Sequence, residues 1–207
     1  MSVFEFYVSV LKALETIGAN YMVVGAYGAS AFGLSRSTHD VDIIVDLDPA
    51  MCDALAACFP APRYYADPVQ MRDSIRLGIM FNIIDGTLGA KADLVPLSRE
   101  PEYVVAFSQR IRGTVSDLQG NELEIWCARP EDIIIGKLMA WQEGRSNKHP
   151  SDIYVVLSFV LSGLADMPFD VEYVSRRATA IGDDALAIWL AILKRVQAEL
   201  DEGIPPF

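Results

Sequence analysis

The run His39-Asp-Val-Asp-Ile-Ile-Val45 constrains this chain more than any other segment, because two carboxylates set two residues apart lead straight into an apolar stretch. On a strand alternate side chains share a face, so Asp40 and Asp42 point one way and Val41, Ile43 and Val45 the other. Ile44 shares the carboxylate face, which therefore turns apolar beyond the pair. The segment reads as a buried strand, Val41 to Leu47, whose acidic end sits at a cleft edge. Two anions this close repel by on the order of 1 to 4 kcal/mol unless a cation lies between them. A hard divalent ion, Mg²⁺ or Mn²⁺, answers that need because it takes oxygen ligands from one or two carboxylates plus substrate phosphates. The other reading of Asp-x-Asp, a solvated strand start, stays open. A calcium loop does not fit, since Ile43, Ile44 and Val45 offer no side-chain oxygen.

The surrounding pattern is mixed α/β. Phe4, Val8, Leu11, Leu14 and Ile17 recur at helical spacing and stop at Gly18, predicting an amphipathic first helix. Tyr21 to Val24 reads as a strand, Gly25 to Gly33 as a turn into a small-residue helix, and Met51 to Cys58 as another helix. After the Pro60 and Pro62 breaks, a helix over Val69 to Leu77 leads to strands Ile79 to Ile84 and Ala90 to Leu97. The Asp85-Gly86 turn joins these two as a hairpin. A helix near Glu100 to Gln109 precedes edge strands at Val115 and Leu123 to Trp126. From Pro130 onward only helices are expected: one opening at Pro130, then Pro150 to Gly163, Asp170 to Ile181 and Asp183 to Glu202. The expected organisation is a sheet-containing region, residues 1–128, followed by a helical region, 129–207.

Composition narrows the chemistry. The chain has 207 residues, a net charge of −11 and 52% hydrophobic residues, which suits a folded globular protein. No apolar run reaches the 18 or more residues of a spanning helix, and the N-terminus lacks a basic leader pattern, so a cytoplasmic protein with no membrane partner is expected. Cys52, Cys58 and Cys127 form no CxxC pair and read as core thiols. With only His39 and His149, any metal should be carboxylate-held. Residues 61–150 hold 11 Lys and Arg against 12 Asp and Glu, while the remainder holds 6 against 16. The acidic excess disfavours a broad nucleic-acid-coating surface but allows a local basic cleft.

A third carboxylate, Asp93, lies on the expected Ala90 to Leu97 strand between Ala92 and Leu94. A buried lone charge costs several kcal/mol, so Asp93 needs a partner. Either it joins Asp40 and Asp42 at a metal site, binding an ion or accepting a proton from an attacking hydroxyl, or it pairs with Lys91 or an arginine. Gly25 and the helix after it would let backbone amides approach phosphate oxygens, with Ser30 adding a hydroxyl; close helix packing explains the glycines equally. No Walker lysine and no dinucleotide fingerprint is present.

Gly25-x-x-Gly28 with Gly33, Arg36-x-Thr38-x-Asp40-x-Asp42, and Asp93 followed by Leu-Val resemble the minimal nucleotidyltransferases of the DNA polymerase beta superfamily, and more narrowly the AbiEii-type and MenT-type toxin relatives. Met80-Phe-Asn-Ile-Ile-Asp85, Arg129-Pro-Glu-Asp-Ile-Ile-Ile-Gly-Lys137 and Lys148-His149-Pro-Ser-Asp152 extend the resemblance over about residues 20 to 160. The first turn departs from it, with Gly25-Ala26 where many relatives carry Gly-Gly.

The resemblance implies an α/β, palm-like mixed sheet flanked by helices, then a C-terminal helical region. It implies transfer of a nucleotide from a nucleoside triphosphate to an acceptor hydroxyl, with pyrophosphate released. In that scheme Asp40, Asp42 and Asp93 hold Mg²⁺ or Mn²⁺, while Gly25, Ala26, Ser30, Arg36, Thr38 and Lys137 handle nucleotide and phosphate. Arg145, Lys148 and Asp152 either brace Lys137 or contact the triphosphate. The acceptor could be a tRNA, a protein or a small molecule, and a toxin would bring a cognate antitoxin. Two alternatives stand beside this: transfer to a cationic, aminoglycoside-like alcohol, which an acidic surface suits, and a non-catalytic module that binds nucleotide or a partner.

Overall fold

The computed structural model describes residues 2–35, 38, 40–99, 103–116, 119–164 and 167–203. The chain divides into two compact units, residues 1–27 with 37–127 and residues 28–36 with 128–207. The fold is mixed α/β: a seven-stranded mixed sheet with flanking helices, and a C-terminal helical region.

The first unit is built on strands β1 (Asn20–Val24), β2 (Asp40–Asp46), β3 (Tyr64–Tyr65), β4 (Phe81–Asp85), β5 (Ala90–Pro96), β6 (Ile111–Ser116) and β7 (Glu122–Cys127), in the order β3-β4-β5-β2-β1-β7-β6. β2 lies mid-sheet, antiparallel to β1 and parallel to β5. Val41, Ile43, Ile44 and Val45 are all buried, each contributing roughly 1.5–3 kcal/mol relative to exposure. A strand covered on both faces is therefore the stable home for this run.

Helix α1 (Val3–Thr16) starts with a reciprocal cap between Ser2 and Glu5 and buries Phe6, Tyr7, Val10, Leu11 and Leu14, packing on β1 and β5. Gly18 follows in the left-handed conformation, which ends the helix as its position suggested. Helices α3 (Pro49–Ala57) and α4 (Pro68–Leu77) each begin with an aspartate cap, Asp48 and Asp67, followed by proline. That pairing satisfies orphan N–H groups and pre-sets φ for the first turn. Between β1 and β2 comes a short helix, α2 (Gly25–Ala29), then a 3₁₀ turn at Ser30–Phe32. Helix α5 occupies Tyr103–Ser108; residues 100–102, in the helix expected from Glu100, lie outside the described residues.

The β4–β5 hairpin forms as expected, but β4 starts at Phe81 rather than Ile79. Gly78 closes α4 in the left-handed region, leaving Ile79 and Met80 exposed in the connection. Cys52 and Cys127 are core thiols; Cys58 is exposed, because it is the residue that terminates α3. Among the described residues no helix is long and apolar enough to cross a membrane.

The hairpin is anchored by Asp85, fully buried, which accepts two bonds from the Arg63 guanidinium and two more from the backbone N–H groups of Thr87 and Leu88. Burial pushes its carboxyl pKa up, but the Arg63 and backbone hydrogen bonds outweigh that and leave it below the ordinary 3.8. A carboxylate whose pKa is lower in the folded state contributes stability above the unfolded value and loses it as pH falls through the folded one. Asp85→Asn is accordingly expected to cost about 2–3 kcal/mol at pH 7 and much less at pH 2. Urea denaturation of both proteins across that range checks the convergence.

The second unit is helical: α6 (Pro130–Gly144), α7 (Lys148–Leu161), α8 (Val171–Ile181) and α9 (Asp183–Asp201). α6 packs on the other three, and α9 on α7 and α8, around Ile134, Leu138, Ile153, Val156, Leu157, Val174, Trp189 and Val196. Pro130 opens α6 with Glu131 and Asp132 in its first turn. These two carboxylates also tie helices together: Glu131 accepts from the Asp170 N–H at 2.9 Å, and Asp132 from Arg129 at 3.0 Å and the Tyr173 hydroxyl at 2.9 Å.

Candidate metal and phosphate site

The β-pleat and two strand registers assemble the acidic residues. Asp42 on β2 lies opposite Asp93 on β5, and Asp93 opposite Asn82 on β4; one step along, Asp40 lies opposite Lys91, which faces Ile84. Residues in register on neighbouring strands share a face. One face of the sheet thus carries Asn82, Asp93 and Asp42 in one row, with Lys91 and Asp40 in the next.

Each carboxylate is held differently. Asp40 accepts a hydrogen bond from the Thr38 hydroxyl, 2.8 Å from Oδ1, and its side chain is 41% exposed. Asp42 lies half-buried against Gly25. Gly25 has φ +67°, a left-handed conformation that favours glycine. A Cβ built there would meet the Asp42 carboxylate oxygen, so any side chain at this position would push the Asp42 carboxylate aside.

Asp93 is only 7% exposed, and both of its oxygens have donors: Oδ1 takes a short hydrogen bond from the Asn82 amide, and Oδ2 lies 2.5 Å from Lys91 Nζ. The same ammonium is 3.9 Å from Asp40 Oδ2. Its pKa is raised, chiefly by the hydrogen bond to Asp93, with burial opposing and the charges of Asp93, Asp40 and Asp42 assisting. Among the described residues no three His, Cys, Asp or Glu side chains stand as a ready-made metal cluster; the cation among these carboxylates is Lys91.

The field of the three aspartates reaches α1. Tyr7 is buried, its ring edge-on to Tyr27 at 5.3 Å, and its hydroxyl has no hydrogen-bond partner among the described residues. Its pKa is pushed up to about 12, by burial first and then by Asp40, Asp93 and Asp42.

In the helical unit, Lys137 on α6 and Asp152 on α7 form a buried ion pair at 2.6 Å. Arg145 ends α6 with φ 50°, its guanidinium 4.4 Å from the Trp141 ring centroid and 2.7 Å from Asp184 Oδ2. Lys148 opens α7 and is exposed, while Ser30 is half-buried in the 3₁₀ turn. Arg36 lies outside the described residues. A cavity of about 510 Å³ in this unit is lined by Arg129, Glu131, Phe169 and Asp170, and by none of the expected site residues.

The structure therefore brings Asp40, Asp42, Asp93, Thr38 and Gly25 together in the sheet unit, with Ala26 beside Gly25 on α2, and Lys137 with Asp152 in the helical unit. Reading the sequence alone leaves out Asn82 and Tyr7 and treats Lys91 only as a partner for Asp93. The signal for Asn82 was present: counting back from the Asp85-Gly86 turn along an antiparallel hairpin sets it opposite Asp93. Nothing local marks Tyr7 among the apolar residues of α1.

No family model matches the sequence, and no curated protein matches it. Among solved structures, the chain is similar to an antigenic nucleotidyltransferase-like protein from Paracoccidioides brasiliensis, at 18% identity over 96% of this chain and 90% of that one, TM-score 0.49. It is similar to the antibiotic-resistance factor ANT(2'')-Ia, at 14% identity over 98% of each chain, TM-score 0.45. It is also similar to JHP933 from Helicobacter pylori, at 12% identity over 96% of this chain and 93% of that one, TM-score 0.40.

Proposed function

We propose that this chain is a divalent-metal-dependent nucleotidyltransferase. The observation that supports the reading is the carboxylate face itself: Asp40 and Asp42 project side by side from mid-sheet with Asp93 in register next to Asp42, and Gly25, in the left-handed conformation, lies against the Asp42 carboxylate. Three carboxylates carry more negative charge than the single Lys91 ammonium offsets, and a further cation would relieve the remainder.

The donor set suits Mg²⁺ or Mn²⁺. Asp40 and Asp42 would hold the ion through oxygen alone, and both side chains are partly exposed where a phosphate could complete the coordination. Once bound, the ion would neutralise triphosphate oxygens and polarise the reacting phosphoryl group. The Thr38 hydroxyl fixes the Asp40 carboxylate, and Asn82 with Lys91 fixes Asp93. In the reaction we infer, an acceptor oxygen forms a bond to the α-phosphorus, the bridging bond to the β-phosphate breaks, and pyrophosphate departs. The hydroxyl proton passes to a carboxylate of this face or to water.

The net charge of −11 favours a cationic acceptor, such as an aminoglycoside-like alcohol, over a polyanion. The toxin reading, with tRNA as acceptor and a cognate antitoxin, follows from the motif resemblance and is the rival. Incubation with each α-labelled nucleoside triphosphate, Mg²⁺ and, in parallel, total tRNA, cell extract or a panel of polycationic amino alcohols tests both. Label should move to one acceptor class and fail to move with Asp40→Ala. Transfer that survives Asp40→Ala overturns the site, and transfer to nothing favours a non-catalytic binding module.

A further inference from the structure

We propose that Lys91 is a permanent cation of the carboxylate face, so that the chain takes one divalent ion, held by Asp40 and Asp42, rather than two. The inference rests on the metal-dependent reading and deepens it by assigning how the positive charge is supplied. Asp93 has both oxygens engaged inside the protein, one by the Asn82 amide and one by the ammonium at 2.5 Å. At 7% exposure its carboxylate has little room to turn toward another partner.

The placement of Lys91 is built into the sheet. It stands opposite Asp40 in the parallel β2–β5 register, two residues before Asp93 on the same face, and its Nζ reaches both carboxylates, at 3.9 Å and 2.5 Å. A second divalent ion at Asp93 would have to share Oδ2 with this ammonium or expel it, and like charges at such separations repel even though the Lys91 side chain is 43% exposed. One divalent ion together with Lys91 balances the charge of the three aspartates. Lys91 is thereby a positioning residue: with Asn82 it fixes the Asp93 carboxylate without a metal there.

The test counts ions, not turnover. The full chain is equilibrated with saturating Mn²⁺ and a nucleoside triphosphate analogue whose α–β bridge cannot be cleaved, and the ions per complex are read by native mass spectrometry. The wild type should carry one ion per chain, Lys91→Met and Lys91→Gln two, and Lys91→Arg one. Using both neutral variants guards against misfolding of either, with circular dichroism as the check. Two ions in the wild type, or a single ion in both neutral variants, would overturn the assignment. No ion in any of them removes the metal-dependent reading itself, which separates that failure from failure of the Lys91 inference.

Discussion

Asp42→Asn is expected to lower nucleotidyl transfer at least about a thousandfold, the loss of roughly 4 kcal/mol of transition-state stabilisation, while leaving the protein as stable as before or slightly more so. Both halves follow from the geometry. Asp42 lies beside Asp40 on β2 and opposite Asp93 on β5, so it is the aspartate with the other two as neighbours. Removing its charge relieves its repulsion with Asp40 and Asp93, and like charges on adjacent strands destabilise by up to about 1 kcal/mol. The amide is nearly isosteric, so Gly25 and the turn above it need not move. A site kept for chemistry at the expense of stability behaves this way. Steady-state transfer rates and thermal melting on the same preparation decide it, and a variant that loses stability while keeping activity would mark Asp42 as a structural residue.

Lys137→Met should destabilise the protein by about 3–5 kcal/mol, more than Asp85→Asn does. Lys137 and Asp152 are both buried and 2.6 Å apart, so removing the ammonium takes the charged partner at that distance from a carboxylate in the core of the helical unit. The double variant Lys137→Met/Asp152→Leu should recover most of the loss, since a buried pair replaced by apolar groups is often neutral or better. Urea denaturation of the wild type, both single variants and the double variant yields the coupling energy. A single-variant cost below about 1 kcal/mol, with no coupling, would mean that water reaches the pair.

Much of the fold was legible because its signals are local. The apolar period of α1 and the Asp85-Gly86 turn each depend on a few consecutive residues, and each element forms close to the expected place; α3 and α4 begin slightly before the expected Met51 and Val69, at aspartate-proline starts that the apolar pattern alone does not mark. β3 was missed because Tyr64 and Tyr65 form a strand only by pairing with Ile84 and Asp85. The apolar run places the start of β4 two residues early because Ile79 and Met80 are apolar yet lie past the end of α4. Residue type alone places Cys58 in the core, and it says nothing about a position that closes a helix.

The candidate site divides along the same line. Alternation on one strand sufficed to set Asp40 and Asp42 on a common face. That Asp93 stands next to Asp42 depends on β2 and β5 pairing in parallel across some fifty residues of chain, one register among several that strand periodicity allows. Lys91 and Asn82 acquire their roles only from that register and the β4–β5 hairpin. Two partners for Asp93 were open on sequence grounds, a metal site or Lys91, and in the structure its carboxylate is held by Lys91 and Asn82.

Whether Asp40 and Asp42 together hold a divalent ion is tested most directly by anomalous diffraction from crystals of the protein grown with Mn²⁺ and a nucleoside triphosphate analogue. A manganese peak is expected within about 2.0–2.3 Å of oxygens from both side chains, lost in crystals of Asp42→Asn. A nucleotide bound with no such peak between them, or a peak held by other residues, would contradict that assignment.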